Sequence, residues 1–309
     1  MEKRYNTLSA HLREKYGHRL GKICIDGGFT CPNRDGTCGV GGCIFCGERG
    51  AGEHITQAPI AEQVRRQLSS TRASQYGGFI AYFQNFTGTH ASPYTLRERY
   101  SAALIDPRIR VLAVGTRPDC IDKARADVLA EFSTHFDIWC ELGLQTASDT
   151  TAEYINRGWR TPRFADSVNI LHDRGIEVIA HIMIGLPSAA GIREGERELY
   201  ETVRLINSLP VSGVKIHSLY VMRGTRLCEI YERGEYISMT EEEYVSLAAR
   251  AISWLRPDIV LHRVTGDCPR DALAAPTWNK RKSEIIRGID EYLKAHDLRQ
   301  GSDCTASDH

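Results

Sequence analysis

Apolar positions along the 309-residue chain alternate between two spacings. Short runs with β-branched and aromatic residues at every position or every second one lie at 22–29, 78–85, 110–116, 137–145, 177–184 and 214–222, and these predict strands. Between them, at 58–72, 96–104, 123–135, 163–174 and 196–208, apolar residues recur three and four apart, which predicts helices long enough to cross over a parallel sheet. The pattern thus repeats as six β/α units, a parallel sheet with helices outside it, either open and doubly wound or curled into a barrel. A helix at 240–254, a seventh strand-like run at 259–264 and a last helix at 278–296 make a C-terminal extension over about 239–297. No low-complexity linker marks a second domain, so residues 1–297 are expected to fold as one unit and the polar stretch 298–309 to be a disordered tail.

Residues two apart in a strand share a face, so the same runs predict what each face of the sheet carries. Trp139, Glu141, Gly143 and Gln145 fall together, opposite Cys140, Leu142 and Leu144. Likewise Tyr82 goes with Gln84, His181 with Met183, and Lys215 with His217. Polar side chains on one face of several strands are costly beneath covering helices, whereas a barrel interior holding a polar ligand gives them partners. An incompletely filled barrel is therefore preferred, the alternative being that these residues end their strands in solvent. Lys215, His217 and His181 are the candidate catalytic residues, with Arg263 as a further substrate contact. Arg117 and Arg157 either bind an acidic group or pin loops to backbone carbonyls.

Charge narrows the partners. Lysine plus arginine equals aspartate plus glutamate at 39 each, so no global field draws the chain to nucleic acid or an anionic membrane. No run of about 18 apolar residues appears, and the first sixteen residues are charged and amphipathic; no membrane association and a cytoplasmic location are expected.

Ten cysteines add the first chemistry. Cys24, Cys120, Cys140, Cys228, Cys268 and Cys304 are scattered and expected to be inert, buried small hydrophobes. The other four lie in the loop GFTCPNRDGTCGVGGCIFC (28–46), directly after the first strand. Clustered cysteines in a chain of this size point to metal or redox chemistry rather than a disulfide framework. Two arrangements compete: an iron–sulfur cluster, or zinc on all four thiolates. Spacing does not decide between them, although only Cys43 and Cys46 form the short pair that zinc loops usually supply twice.

The run GGFTCPNRD with GGCIFC resembles the cluster loop of the radical S-adenosylmethionine enzymes, in the YtqA and YhcC family related to the catalytic subunit of elongator. The similarity continues through AYFQNFTGTHAS (81–92), GTRPDC (115–120), ELGLQTA (141–147), INRGW (155–159), HIMIGLP (181–187) and VKIHSLYVMRGT (214–225), and it covers roughly residues 4–282. Cys38 lies outside the family motif, Gly88 stands where asparagine is expected, and Ser188 follows GLP where glycine and glutamate are usual.

This resemblance implies a partial (β/α)6 barrel of radical SAM type, with Cys31, Cys43 and Cys46 ligating a [4Fe–4S] cluster. It implies that S-adenosylmethionine chelates the remaining iron and is cleaved by one-electron reduction, and that the 5′-deoxyadenosyl radical then takes a hydrogen from substrate. By the same resemblance, Gln84 and Asn85 lie near the methionine amino group, Glu141 and Gln145 near the ribose hydroxyls, and Gly185, Leu186 and Pro187 near the adenine. A low-potential donor such as flavodoxin or ferredoxin is implied. So is a transfer RNA substrate whose wobble-uridine carboxymethylaminomethyl group is remodelled toward aminomethyl. A small-molecule substrate is the alternative within the enzyme class, and a zinc-stabilised, non-enzymatic binding protein is the alternative outside it. For RNA docking, the expected surface is Lys280, Arg281 and Lys282 beside Trp278, an aromatic able to stack on an unpaired base.

Overall fold

The computed structural model describes residues 3–48, 50, 58–189, 192–266 and 271–304. Seven parallel strands follow one another across a single sheet: β1 (Leu20–Ile25), β2 (Gly78–Phe83), β3 (Ile109–Thr116), β4 (Asp137–Gln145), β5 (Glu177–Ile184), β6 (Gly213–Ser218) and, beside β6, β8 (Val260–Arg263). The sheet curls into a half-barrel without closing, because β1 and β8 are its two edges. Residues 5 to 7 cover the β8 edge: Leu261 N–H donates to Asn6 O at 2.8 Å, and Thr7 bridges to Leu261. The seventh strand-like run of the C-terminal extension therefore extends the main sheet beside β6.

Most helices lie on the convex side, and several are started by side-chain caps. Ser92 caps α3 (Pro93–Ala103), Asp122 caps α4 (Lys123–Glu131), Ser148 caps α5 (Asp149–Tyr154), and Thr240 with Glu243 forms a capping box on α9 (Glu241–Trp254). The strand alternation predicted from sequence holds. Ile23, Ala81, Phe83, Leu112, Cys140, Leu142 and Leu144 pack outward against helices. Ile80, Tyr82, Val111, Ala113, Trp139 and Ile179 face inward.

One helix was not anticipated in its role. α1 (Leu8–Tyr16) plugs the N-terminal end of the half-barrel, with Leu8, Leu12 and Tyr16 packed on that inward cluster. Lys15 fixes it by pairing with Asp137 (2.9 Å) and Glu177 (3.1 Å), the first residues of β4 and β5. With the base sealed, the C-terminal ends of the strands are left as the mouth.

Three boundaries differ from expectation. The run 214–222 breaks after Ser218, and β7 (Val221–Met222) leaves the barrel to pair antiparallel with β9 (Leu273–Ala275). The last helix begins only at Lys282, as α10 (Lys282–Ala295), after a short 3₁₀ turn at Thr277–Lys280. The polar stretch after 297 is tied down as far as Cys304: Gln300 Nε2 donates to Arg256 O and Ile259 O at 2.7 Å, and Ser253 Oγ donates to Asp303 at 2.8 Å. Residues 305–309, and Cys268, lie outside the described residues.

Candidate active site

The cysteine loop leaves the C-terminal end of β1, at the mouth. Gly36, Gly41 and Gly42 take φ of 88°, 80° and 72°, which lets the loop fold back on itself. Buried Asn33 clamps it, donating Nδ2–H to Asn156 O (2.6 Å) while its own carbonyl accepts from Gly42 N–H (2.8 Å). Arg34 Nη2 donates to the carbonyls of Cys46 (2.7 Å) and Gly47 (2.8 Å). Ile44 is driven into a small core with Ile155, Leu186, Leu227 and Tyr236, and its backbone pairs with Ile155 O (3.1 Å) and Leu227 N–H (2.9 Å). Leu227 belongs to α8 (Arg226–Glu232), so the end of β4's following helix and the start of α8 both grip the residue next to Cys43.

All four loop thiols are unbridged; Cys31, Cys43 and Cys46 are half-buried and Cys38 is exposed. Burial pushes the Cys43 thiol up to about 12, with the charges of Cys46 and Cys31 adding and those of Arg117 and Arg157 opposing. Cys46 is raised by burial as well, against the pull of Arg34. Thiols within electrostatic reach of one another hold thiolate charge together when cationic metal sits among them, so this donor set fits an iron–sulfur cluster. Among the described residues, no three His, Cys, Asp or Glu side chains close on a single metal ion; the fit rests on the shared loop and the mutual charge.

Around this loop stand most of the residues the resemblance singled out. Gln84 and Asn85 follow β2; Asn85 Nδ2 donates to Asp26 (3.1 Å), whereas its Oδ1 and the nearby Thr87 Oγ1 are buried without a partner. Thr87 N–H donates to Thr30 O (3.2 Å), which ties this segment to the cysteine loop. Gln145 ends β4 at φ 63°. Gly185, at φ 92°, accepts from Tyr236 Oη–H at 2.7 Å, and Leu186 O accepts from Glu194 N–H at 2.8 Å; Leu186 and Pro187 are buried.

Glu141 lies deeper, inside the half-barrel, and is 1% exposed. Its Oε2 accepts from Lys215 Nζ and from His181 Nε2 (3.0 Å). Lys215 also donates to Tyr82 Oη at 3.3 Å and sits 4.6 Å from the centre of that ring. The rings of His181 and His217 are 5.3 Å apart. Glu141 Oε1 and His217 Nε2 are buried without a hydrogen-bond partner. Burial opposes the Glu141 charge, but Lys215 and His181 outweigh it and hold its pKa well below the carboxylate range. Burial brings Lys215 down to about 7 and His181 to about 4; His217 falls well below its ordinary value by burial and the charge of Arg263. A cavity of about 240 Å³ joins the two groups, lined by Phe45, Cys46, Gln145, His181, Met183 and His217 among others.

Other expectations change. Arg117 forms a two-pronged pair with Asp119 (2.9 and 2.8 Å), and buried Arg157 donates to Leu144 O and Thr146 O (both 2.7 Å), so both pin loops. Trp278 is buried against Tyr244 with its Nε1–H on Met239 O (2.9 Å), because the 3₁₀ turn folds it under α9; it is not an exposed stacking platform. Arg281 is paired with Glu241 (2.5 Å) and Glu284 (2.8 Å), so the charge of this member of the expected patch is answered within the fold. Gly88 in place of asparagine has a steric reason: a Cβ there would stand 2.6 Å from Val114 and 2.9 Å from Gly115 O.

Sequence reasoning missed Asn33, Arg34 and Ile44, which hold the loop, and Gln63 and Gln67 on α2 (Ile60–Leu68), which bind the backbone of Asp26, just after β1, and of Cys24 on β1. The spacing of four between those glutamines on one helix face was the available signal.

Residues 31–206 match the radical SAM superfamily, and residues 211–295 match the radical SAM C-terminal domain. The chain is 37% identical over 305 residues to YtqA of Bacillus subtilis, covering 97% of this chain and 92% of that protein. It is 35% identical over 305 residues to YhcC of Escherichia coli, covering 98% and 96%. The fold is that of Elp3 from Methanocaldococcus infernus, with a TM-score of 0.70 at 16% identity over 91% of this chain and 64% of that one. A [4Fe–4S] cluster and S-adenosylmethionine are the cofactors of this superfamily. A superfamily match that starts at Cys31 and runs into the helix after β5, with identity to YtqA and YhcC held end to end, settles the family: the chain belongs to the radical SAM superfamily, in the group of YtqA and YhcC.

Proposed function

We propose that this radical SAM enzyme acts on the wobble uridine of transfer RNA, remodelling its carboxymethylaminomethyl side chain. The observation that carries it is the end-to-end similarity to YtqA, joined to a cavity at an open barrel mouth into which Gln145, His181 and His217 bring polar groups. A wobble base lies in a single-stranded loop and can be splayed out into such a mouth.

Cys31, Cys43 and Cys46 would hold the cluster, which with bound S-adenosylmethionine supplies a one-electron cleavage of a carbon–sulfur bond. Asn85 Oδ1, a buried acceptor without a partner, suits the methionine ammonium, with Gln84 beside it. Gln145 and the 185–187 segment flank the nucleoside end. His181 and His217 meet the substrate from the interior with Lys215 buried behind them, and α1 keeps water from entering at the base. A low-potential donor such as flavodoxin or ferredoxin supplies the electron.

Two measurements test this. Anaerobically reconstituted protein should carry about four irons per chain and release 5′-deoxyadenosine when reduced. Nucleoside analysis of transfer RNA from a deletion strain should show the carboxymethylaminomethyl precursor accumulating; an unchanged profile refutes the RNA substrate.

A further inference from the structure

Glu141, His181 and Lys215 come from three adjacent strands whose register sets His181 beside Lys215. An ionised carboxylate only accepts, so the hydrogen on the Glu141–His181 bond belongs to His181 Nε2. In a neutral imidazole that leaves Nδ1 as an acceptor. His181 is 22% exposed and lines the cavity, and beside it His217 Nε2 is buried and unmatched. An apolar or fully alkylated ligand would leave both nitrogens desolvated and unpaired.

We propose that Lys215 and Glu141 are positioning residues that hold His181 as its Nε2–H tautomer, so that His181 Nδ1 accepts an N–H or O–H group of the substrate, with His217 Nε2 as the second polar contact. The substrate class is thus a polar molecule with a hydrogen-bond donor close to the carbon that reacts. This rests on the function proposed above in taking the cavity as the substrate's and uracil as its probe.

The charge around His181 supports the arrangement. Facing it are Glu141 from β4, Lys215 and His217 from β6 and Arg263 and His262 from β8, with Cys46 of the loop on the same cavity, while Tyr82 from β2 and Lys22 and Cys24 from β1 surround the Glu141–Lys215 pair. Lys215 keeps Glu141 ionised and opposes a second proton on His181. Removing the lysine charge alone should therefore let Glu141 recruit that proton.

The test is nitrogen-15 NMR of histidine-labelled, reconstituted protein at pH 7, with His181 assigned by His181→Asn. His181 should read as neutral and Nε2–H in the parent, and as doubly protonated in Lys215→Met. The double variant Lys215→Met/Glu141→Leu leaves no uncompensated charge and so guards against a misfolded single variant. In it His181 should be neutral with the Nε2–H tautomer no longer exclusive. An Nδ1–H tautomer in the parent, or a signal that neither variant changes, overturns the positioning role. Uracil should shift His181 Nδ1 and 1,3-dimethyluracil, which lacks ring N–H groups, should not; equal shifts, or none with either, overturn the acceptor role. These readouts need no turnover, so their failure is separate from an unchanged nucleoside profile or from absent 5′-deoxyadenosine.

Discussion

Replacing Lys215 by methionine should be among the most destabilising changes on the sheet's inner face. Lys215 and Glu141 are 2% and 1% exposed, and the Glu141 carboxylate accepts from Lys215 and from the weakly basic His181. Removing one partner of a buried pair strands the other's charge, which costs about 3–5 kcal/mol, whereas replacing both by apolar side chains is close to neutral. Lys215→Met and Glu141→Leu should each lower stability by about 3–5 kcal/mol, and the double variant by less than either, a coupling of at least about 3 kcal/mol. The assay is urea unfolding of anaerobically reconstituted protein at pH 6.5. There Lys215, at about 7, is mostly protonated, and Glu141, its folded pKa depressed, contributes stability that is lost only as pH falls through that folded value. Lys215 is lowered from 10.5, so the folded protein binds fewer protons than the unfolded chain between about 7 and 10.5, and stability gains with rising pH across that window; Lys215→Met should remove this slope. Additive single effects, or a Lys215→Met cost below about 1 kcal/mol, would refute a desolvated pair.

Four further outcomes are expected. Alanine at Cys31, Cys43 or Cys46 should abolish iron retention in reconstituted protein, while Cys38→Ala, at the exposed thiol, should leave the iron content near normal. Ile44→Ala empties the small core under the loop, so stability should drop by about 2–5 kcal/mol and iron should dissociate faster from the loosened loop. Burial raises Glu194 from 4.5 to about 7 despite its hydrogen bond from Thr146, so the folded state binds more protons between those values and loses stability as pH rises through them. Glu194→Gln should flatten that fall, gaining on the order of 2–3 kcal/mol over the parent at pH 8 in denaturant melts. Gly88→Asn must push β3 away, and calorimetry should show a loss of about 1–3 kcal/mol.

The six-fold strand and helix pattern, the inward and outward faces of the strands, and the cysteine loop were all legible in the chain. Each is a local periodicity or a local motif: alternate residues of 137–145 face opposite sides whatever β4 packs against. The cysteine spacing likewise marks the loop without reference to the rest of the fold. What local pattern could not convey was pairing across distance. Trp278 next to three basic residues looked like a stacking surface, but α9 covers the indole and Glu241 answers Arg281. Glu141 matched a ribose-binding motif by position, yet its partner Lys215 is 74 residues away and meets it only because β5 brings β4 and β6 within one side chain's reach. Periodicity determined which residues face the interior; the order and curl of the sheet alone decided which of them neutralise one another and which, such as His217 Nε2, are left with unmatched hydrogen-bonding capacity.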